Sequence, residues 1–402
     1  MKAANRDFTR ELNLSNILNS IREAGMISRV EIAEKTGQSR ASVTNITALL
    51  IERGLIREDR AASSSSRGRR RIMLMLNPEA AYAVGIKIAA FRLSFAVVDF
   101  VGQVKSTLSV PLRVGERSAA MLADVAEDGI LHCLEKAKLK LKDLCGCGLA
   151  LPGFVDSASG TCFWTPIQNG SSDIRALLAQ RLGMDVYLEN DANAFTVASQ
   201  WFGLGKGVRN FLVVTIEEGI GMGIVVDGKL YQGATGIAAE FGHMVIVPDG
   251  EPCRCGKFGC FEAYSADSGI LQQSRKALQG RKNGPDLEML TIEEVTRLAR
   301  DGDRQLRKIF HQSGEFLARG VAGLIQIFNP ERVIITGEGV RAGDLVFVPM
   351  HRLLGKYLNH EQAKATQVLI QDWNDHDWAQ GAAGFVLNEI YKSPLDKIQR
   401  NG

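Results

Sequence analysis

The chain has 402 residues, more than one compact core holds, and its length alone leaves room for roughly two to four domains. It carries 48 Lys and Arg against 45 Asp and Glu, with 45% hydrophobic and 23% charged residues, which excludes a disordered, fibrous or membrane-embedded class. No apolar run of about 18 residues and no amino-terminal leader pattern is present, so no membrane partner and a cytoplasmic location are expected, and seven cysteines, an odd number in a reducing compartment, argue against a disulfide framework.

The charge is unevenly spread. Residues 1–71 hold 14 basic and 8 acidic side chains, so a basic head of net +6 precedes a body of net −3, and a polyanion partner is expected for the head. Leu14, Ile17, Leu18 and Ile21 recur at helical spacing, predicting a first helix that buries one stripe before Gly25. Ser28 and Glu31 form a capping box that starts a second helix, ended by Gly37. Ser39 caps a third, with Val43, Ile46, Leu49 and Leu50 inward and Arg40, Ser42, Asn45 and Thr47 outward. Two helices joined by a short turn, the second showing small polar and basic side chains, suit the major groove of DNA, with Gln38, Ser39, Arg40, Ser42 and Asn45 as the candidate readers. LIRED and RIMLMLN read as two strands joined by SSSSRGRRR. Arg67, Arg69, Arg70 and Arg71 at this wing tip would meet phosphates or a narrow minor groove.

From Tyr82 the pattern changes to three apolar, Val- and Ile-rich runs with tight connections, then a helix near 118–140 and the strand CGCGLALP. The theme returns in NFLVVTIEEGIGMGIVVDGKLYQG, followed by helices and the strand RVIITG. Two units of meander, helix and strand predict an α/β body of two lobes facing a cleft.

Near the second unit, CRCGKFGCFE (253–262) sets Cys253, Cys255 and Cys260 in a C-x-C-x4-C spacing, ten residues after His243. Three thiolates and an imidazole are the donor set of a tetrahedral zinc, and four protein ligands leave no open position, so the expected Zn2+ is structural. A redox dithiol or buried apolar cysteines are the other readings of the same residues. Cys133, Cys145, Cys147 and Cys162 read as small apolar residues.

ENDANA (189–194), GKLYQGATGIAAEFGH (228–243) and CRCGKFGCFE together, in that order, resemble the ROK family of sugar kinases and sugar-responsive repressors. With the amino-terminal winged helix the resemblance spans nearly the whole chain and is to the NagC, Mlc and XylR type of repressor. It implies an α/β body of the two-lobed actin and hexokinase (RNase H-like) type. The expected domains are a winged helix-turn-helix at 1–77, a first ROK lobe at 78–200 plus about 380–395, and a second lobe with the zinc loop at 201–379. The resemblance places Asn190, Asp191, Glu240, His243 and Glu262 around a sugar, and carboxylates with an amide and an imidazole suit hydroxyl recognition.

The kinases' D-x-G-G-T-K is represented here by Lys87, Ile88, Ala89, Ala90, Phe91 and Arg92, and their G-T-G-x-G-G by Glu217, Glu218, Gly219, Ile220, Gly221 and Met222. The metal-positioning aspartate and most phosphate-approaching glycines are gone, and two carboxylates oppose phosphate. IITGEG (334–339) still resembles the adenosine loop. The expectation is a non-enzymatic regulator, most simply a repressor, binding a double-stranded operator as a homodimer or dimer of dimers with a sugar effector. A kinase with residual activity and a regulator answering to a partner protein are the alternatives.

Overall fold

The computed structural model describes residues 2–59, 72–112, 118–167, 173–282 and 284–395. The head is α1 (Lys2–Ala24), β1 (Ile27–Ser28), α2 (Arg29–Thr36), α3 (Arg40–Glu52), β2 (Ile56–Asp59) and β3 (Met73–Leu76), its strands ordered β1-β3-β2. Leu14, Ile17, Leu18 and Ile21 are buried as their spacing requires. Each contributes roughly 1.5–3 kcal/mol of apolar burial. The capping box forms as read: Ser28 Oγ accepts from the Glu31 amide, the Ser28 amide donates to Glu31 Oε2 at 2.9 Å, and Gly37 closes α2 in the left-handed conformation. Ser39 caps α3.

Two details of the head differ from the sequence reading. Thr47 does not face out. It is fully buried, its hydroxyl accepting from Arg29 Nε at 3.0 Å and donating to the Thr44 carbonyl, while Arg29 Nη2 reaches Glu58 Oε1 at 2.9 Å. A three-centre link through one arginine outweighs the helical pattern of a short polar residue. The strand β1 was also not expected; its two residues pair with Leu74 and Met73 and turn the wing hairpin into a three-stranded sheet. The wing tip, with Arg67, Arg69, Arg70 and Arg71, lies outside the described residues.

The body continues through β4 (Tyr82–Ile88), β5 (Arg92–Asp99), β6 (Val104–Pro111), α4 (Ala119–Ala137), β7 (Leu144–Leu151), β8 (Phe154–Asp156), β9 (Thr161–Trp164), α5 (Ile174–Leu182), β10 (Val186–Asn190) and α6 (Asp191–Phe202). Then follow β11 (Phe211–Ile216), β12 (Ile220–Val226), β13 (Lys229–Leu230), α7 (Glu262–Ser265), α8 (Asp267–Leu278), α9 (Ile292–Arg300) and α10 (Arg304–Phe328). The last elements are β14 (Arg332–Thr336), α11 (Asp344–Tyr357), α12 (His360–Ala365), β15 (Gln367–Ile370) and α13 (Asp375–Lys392).

The two five-stranded sheets have the same design. One runs β10-β7-β4-β5-β6 and the other β13-β12-β11-β14-β15. In each, an antiparallel three-strand meander is extended by a parallel strand on its first member, β4 with β7 and β11 with β14. That repetition is the duplicated α/β unit read from the strand pattern.

The chain forms two compact units, residues 1–151, 159–189 and 378–402 in one, and 152–158 and 190–377 in the other. In the first, α13 lies so close to the sheet that a Cβ on Gly85 would come 1.9 Å from the Ala379 carbonyl oxygen. In the second, α10 and the aromatic pair Phe241 and Phe261, ring centroids 4.6 Å apart, form the core under the cysteine loop.

Candidate functional site

His243, Cys253, Cys255 and Cys260, read as metal ligands, and Asn190, Asp191, Glu240 and Glu262, read with His243 as sugar contacts, all belong to the second unit. The cysteine loop is shaped by two short antiparallel bridges, Val245 with Cys260 and Pro252 with Phe258. Cys253 to Gly256 is a tight turn, closed by the Gly256 amide on the Cys253 carbonyl at 3.0 Å. Gly256 and Gly259 have φ of +88° and +74°, conformations costly for any residue with a Cβ. A Cβ on Gly259 would also stand 1.7 Å from the Val247 carbonyl oxygen.

This loop gathers His243, Cys253, Cys255 and Cys260, whose ligand atoms all lie within 4.8 Å of one another. Cys255 Sγ is 3.7 Å from Cys260 Sγ, and Cys253 Sγ is 3.6 Å from His243 Nδ1. A tetrahedral zinc with ordinary bond lengths requires edges of about 3.8 Å between two sulfurs and about 3.5 Å between sulfur and nitrogen. The donor set therefore fits a metal ion. Burial, above all, with Lys257 and Arg254 adding to it against Glu262, holds His243 below the usual imidazole range, and a neutral ring is the form that ligates. Burial pushes the Cys253 and Cys260 thiols up, so a metal ion held here would be bound in exchange for protons.

With Nδ1 turned to the cysteines, His243 Nε2 points the other way, 4.0 Å from Glu240 Oε2. A histidine that ligates through Nδ1 carries its proton on Nε2, so it presents a donor to that side. Glu262, which opens α7, is buried; it accepts from the Ile220 amide at 3.2 Å and lies 3.4 Å from Cys253 Sγ. Burial first, then the charges of Asp191 and Glu262, push the Glu240 carboxyl up to about 7, while Lys257 pulls it down. Asp191, Glu240, His243 and Glu262 are thus one electrostatically connected group of three carboxylates and an imidazole. Ala239, immediately before Glu240, is held at φ +68°, a strained conformation for a residue with a side chain.

Asn190 has a different place. Its Oδ1 caps α6 by accepting from the amides of Ala192 and Asn193 at 2.9 and 3.2 Å, and its Nδ2 donates to the Gly153 carbonyl at 3.0 Å. The side chain thus fixes the first turn of the helix that begins with Asp191. Phe154, one residue beyond Gly153, packs edge-on against the His243 ring, centroids 5.6 Å apart. Neither Phe154 nor the loop cations Arg254 and Lys257 was singled out from the sequence. The two cations occupy non-ligand positions of the cysteine spacing, and that placement was the available signal.

In the first unit, the turn Ala89–Phe91 joins β4 to β5, and Lys87 is buried with Nζ 4.0 Å from the centroid of the Trp378 ring. In the head, Arg40 and Asn45 are exposed on α3, Ser39 is its cap, and Gln38 donates to the Asn13 carbonyl at 3.2 Å while its Oε1 accepts from Ser42. Asn169, a further candidate sugar contact, lies outside the described residues.

Comparison with known proteins gives two family matches, the ROK family over residues 83–389 and a winged helix-turn-helix DNA-binding family over residues 11–57. The chain is 30% identical over 397 residues to the N-acetylglucosamine repressor of Escherichia coli O157:H7, covering 97% of this chain and 96% of that protein. Among solved structures it resembles a ROK family transcriptional regulator, a homologue of the E. coli MLC protein, with a TM-score of 0.81 and 25% identity over 98% of this chain and all of that one. A ROK family glucokinase from Streptomyces griseus, solved with glucose and AMPPNP, matches at a TM-score of 0.65 and 26% identity, over 76% of this chain and 99% of its own.

Proposed function

The chain belongs to the ROK family, and from that premise and its amino-terminal winged helix-turn-helix we propose that it is a DNA-binding transcriptional repressor of sugar metabolism or uptake genes. Its effector is a sugar or sugar derivative, bound by Asn190, Asp191, Glu240, His243 and Glu262, with Asn190 also fixing the turn that presents Asp191. The observation that carries the reading is the union of a DNA-reading head with that polar cluster on one chain.

The body works without phosphoryl transfer in this reading. Lys87, buried against Trp378, stands where the kinases place their metal-positioning aspartate, and Glu217 and Glu218 stand at their second phosphate loop. A cation cannot ligate a metal ion, and carboxylates repel phosphate. Asp191 then serves as a hydroxyl acceptor. His243, Cys253, Cys255 and Cys260 hold a structural zinc whose contribution is to fix the loop carrying Glu262 and the ring presenting Nε2. Among the described residues no helix is long and apolar enough to cross a membrane.

Residues 1–77 form the reader, with Gln38, Ser39, Arg40, Ser42 and Asn45 toward bases and Arg67, Arg69 and Arg70 toward the backbone or minor groove. Residues 78–200 with about 380–395, and 201–379, form the two ROK lobes. A homodimer presents two readers to a pseudo-palindromic operator. Relief of repression requires a sugar that favours the conformation fitting DNA poorly, and by reciprocity DNA weakens sugar binding.

The test is calorimetry of purified protein with glucose, xylose, N-acetylglucosamine and its 6-phosphate, joined to operator binding by the wild type and Asp191→Asn. A sugar that binds the wild type, with D191N still on the operator but deaf to it, supports the division of labour. No heat with any sugar, or loss of operator binding in D191N, contradicts it. ATP-dependent phosphorylation of any of these sugars would restore the kinase alternative.

A further inference from the structure

Arg254 stands between two of the metal-binding cysteines, and its side chain leaves the loop toward the β11–β12 hairpin. Its Nη1 lies 3.2 Å from Glu218 Oε2, and its Nε lies 4.0 Å from Glu262 Oε1. The hairpin tip lies closer still to Glu262, with the Ile220 amide 3.2 Å from its carboxylate. The Ile220 amide donates to Glu262 Oε2, and a Cβ on Gly219 would come 2.5 Å from that oxygen and 3.3 Å from Arg254 Nη2. One guanidinium therefore touches the exposed acid of the hairpin and the buried acid of the polar cluster. Among the described residues, Arg254 is the one arginine or lysine within 4.0 Å of Glu262.

We propose that Arg254 is a positioning residue for effector binding: it holds the Glu262 carboxylate in place and fastens the hairpin tip to the cysteine loop through Glu218. The inference rests on the reading of Glu262 as an effector ligand. Metal binding increases the need for it. As a thiol, Cys253 can donate to Glu262 Oε1 from 3.4 Å. As a thiolate ligand it presents charge without a proton, and the oxygen then depends on the guanidinium and on nearby dipoles. The arrangement also gives the hairpin its own role. Glu218, at a position where a phosphate-binding loop needs an uncharged approach, instead serves as the outer anchor of the arginine.

The experiment uses the full chain as wild type, Arg254→Ala, Arg254→Lys and Glu218→Gln. Three quantities are read: zinc per chain by elemental analysis, amide hydrogen exchange of the segment 216–222, and calorimetric affinity for glucose, xylose, N-acetylglucosamine and its 6-phosphate. R254A should keep its zinc, exchange the hairpin-tip amides about tenfold faster, and bind the wild type's sugar about tenfold more weakly. R254K should restore part of both effects, because an ammonium supplies the charge without the fork. E218Q, which leaves the cysteine loop untouched, should loosen residues 217–219 with a smaller loss of affinity. Unchanged exchange in both R254A and E218Q overturns the proposal, as does unchanged sugar affinity in a zinc-replete R254A. Should R254A lose its zinc, R254K and E218Q carry the same comparison. If the wild type binds none of the sugars, the effector reading fails, while the exchange data still decide whether Arg254 fastens the hairpin.

Discussion

A single methyl group at position 223 should disturb both the stability of the second unit and its polar cluster. Gly223 lies on β12 beneath α6, where a Cβ would stand 2.0 Å from Thr196 Oγ1, 2.8 Å from Thr196 Cβ and 3.2 Å from the Ala192 carbonyl oxygen. Non-bonded heavy atoms settle at about 3.5–4.0 Å, so the closest contact must open by well over 1 Å. Neither side yields easily. Thr196 is fully buried with its hydroxyl donating to the Ala192 carbonyl at 2.7 Å, and Gly223 is held in the ladder opposite Val213. Overpacking of this kind costs about 1–3 kcal/mol. At about 2 kcal/mol, the melting temperature of a unit this size falls by about 4–8 °C. Because α6 begins with Asp191, the displaced helix carries that carboxylate with it, so effector affinity falls as well. Removing the hydroxyl relieves the worst contact and leaves the one at 2.8 Å, so Gly223→Ala with Thr196→Ala should lose about 1 kcal/mol less than the sum of the single variants. Thermal unfolding of the four proteins reads this directly. A G223A protein melting within about 1 °C of wild type, or strict additivity, refutes the reasoning.

Two further outcomes concern the metal and the wing. Burial raises the Cys253 and Cys260 thiols above their ordinary values, so protons compete with the metal more strongly as pH falls. Zinc affinity by competition with a chelator should therefore drop at least about tenfold per pH unit between pH 8 and 6, and Cys255→Ser should abolish stoichiometric zinc. A pH-independent affinity would show that the thiols are not the ligands. Removing Arg69 and Arg70 together should weaken operator binding and reduce the slope of log K against log salt by up to about 2, as two fewer phosphates are neutralised. An unchanged slope would make the wing tip a spacer.

What was legible in the sequence is mostly what is settled over short distances. The capping box of Ser28 and Glu31 and the stripe on α1 each depend on neighbours within a few residues, and each formed as read. The C-x-C-x4-C spacing places three potential donors in one loop, so the His/Cys cluster needed only His243 to arrive from ten residues away. The errors came from distant partners. Thr47 is buried because Arg29, eighteen residues earlier, takes its hydroxyl, and β1 exists because β3 lies beside it. Asn190 caps α6 and links to Gly153, roles that ENDANA alone does not announce. Arg254 went unremarked, since nothing local announces that Glu218 and Glu262 lie within its reach.

The interleaving of the two units has a consequence for how the protein is made. The sheet of the first unit is complete once β10 has been synthesised, yet the part of α13 that packs on it at Gly85, Ala379 and Ala383, follows only after the whole of residues 190–377. On the ribosome the reader of DNA emerges first, the second unit can close next, and the first unit waits for the last helix. A nascent or prematurely ended chain would then carry a closed second unit beside a first unit that lacks its last layer. A frameshift late in the gene therefore strikes the unit that also holds the amino-terminal head and leaves the second unit's residues 190–377 whole.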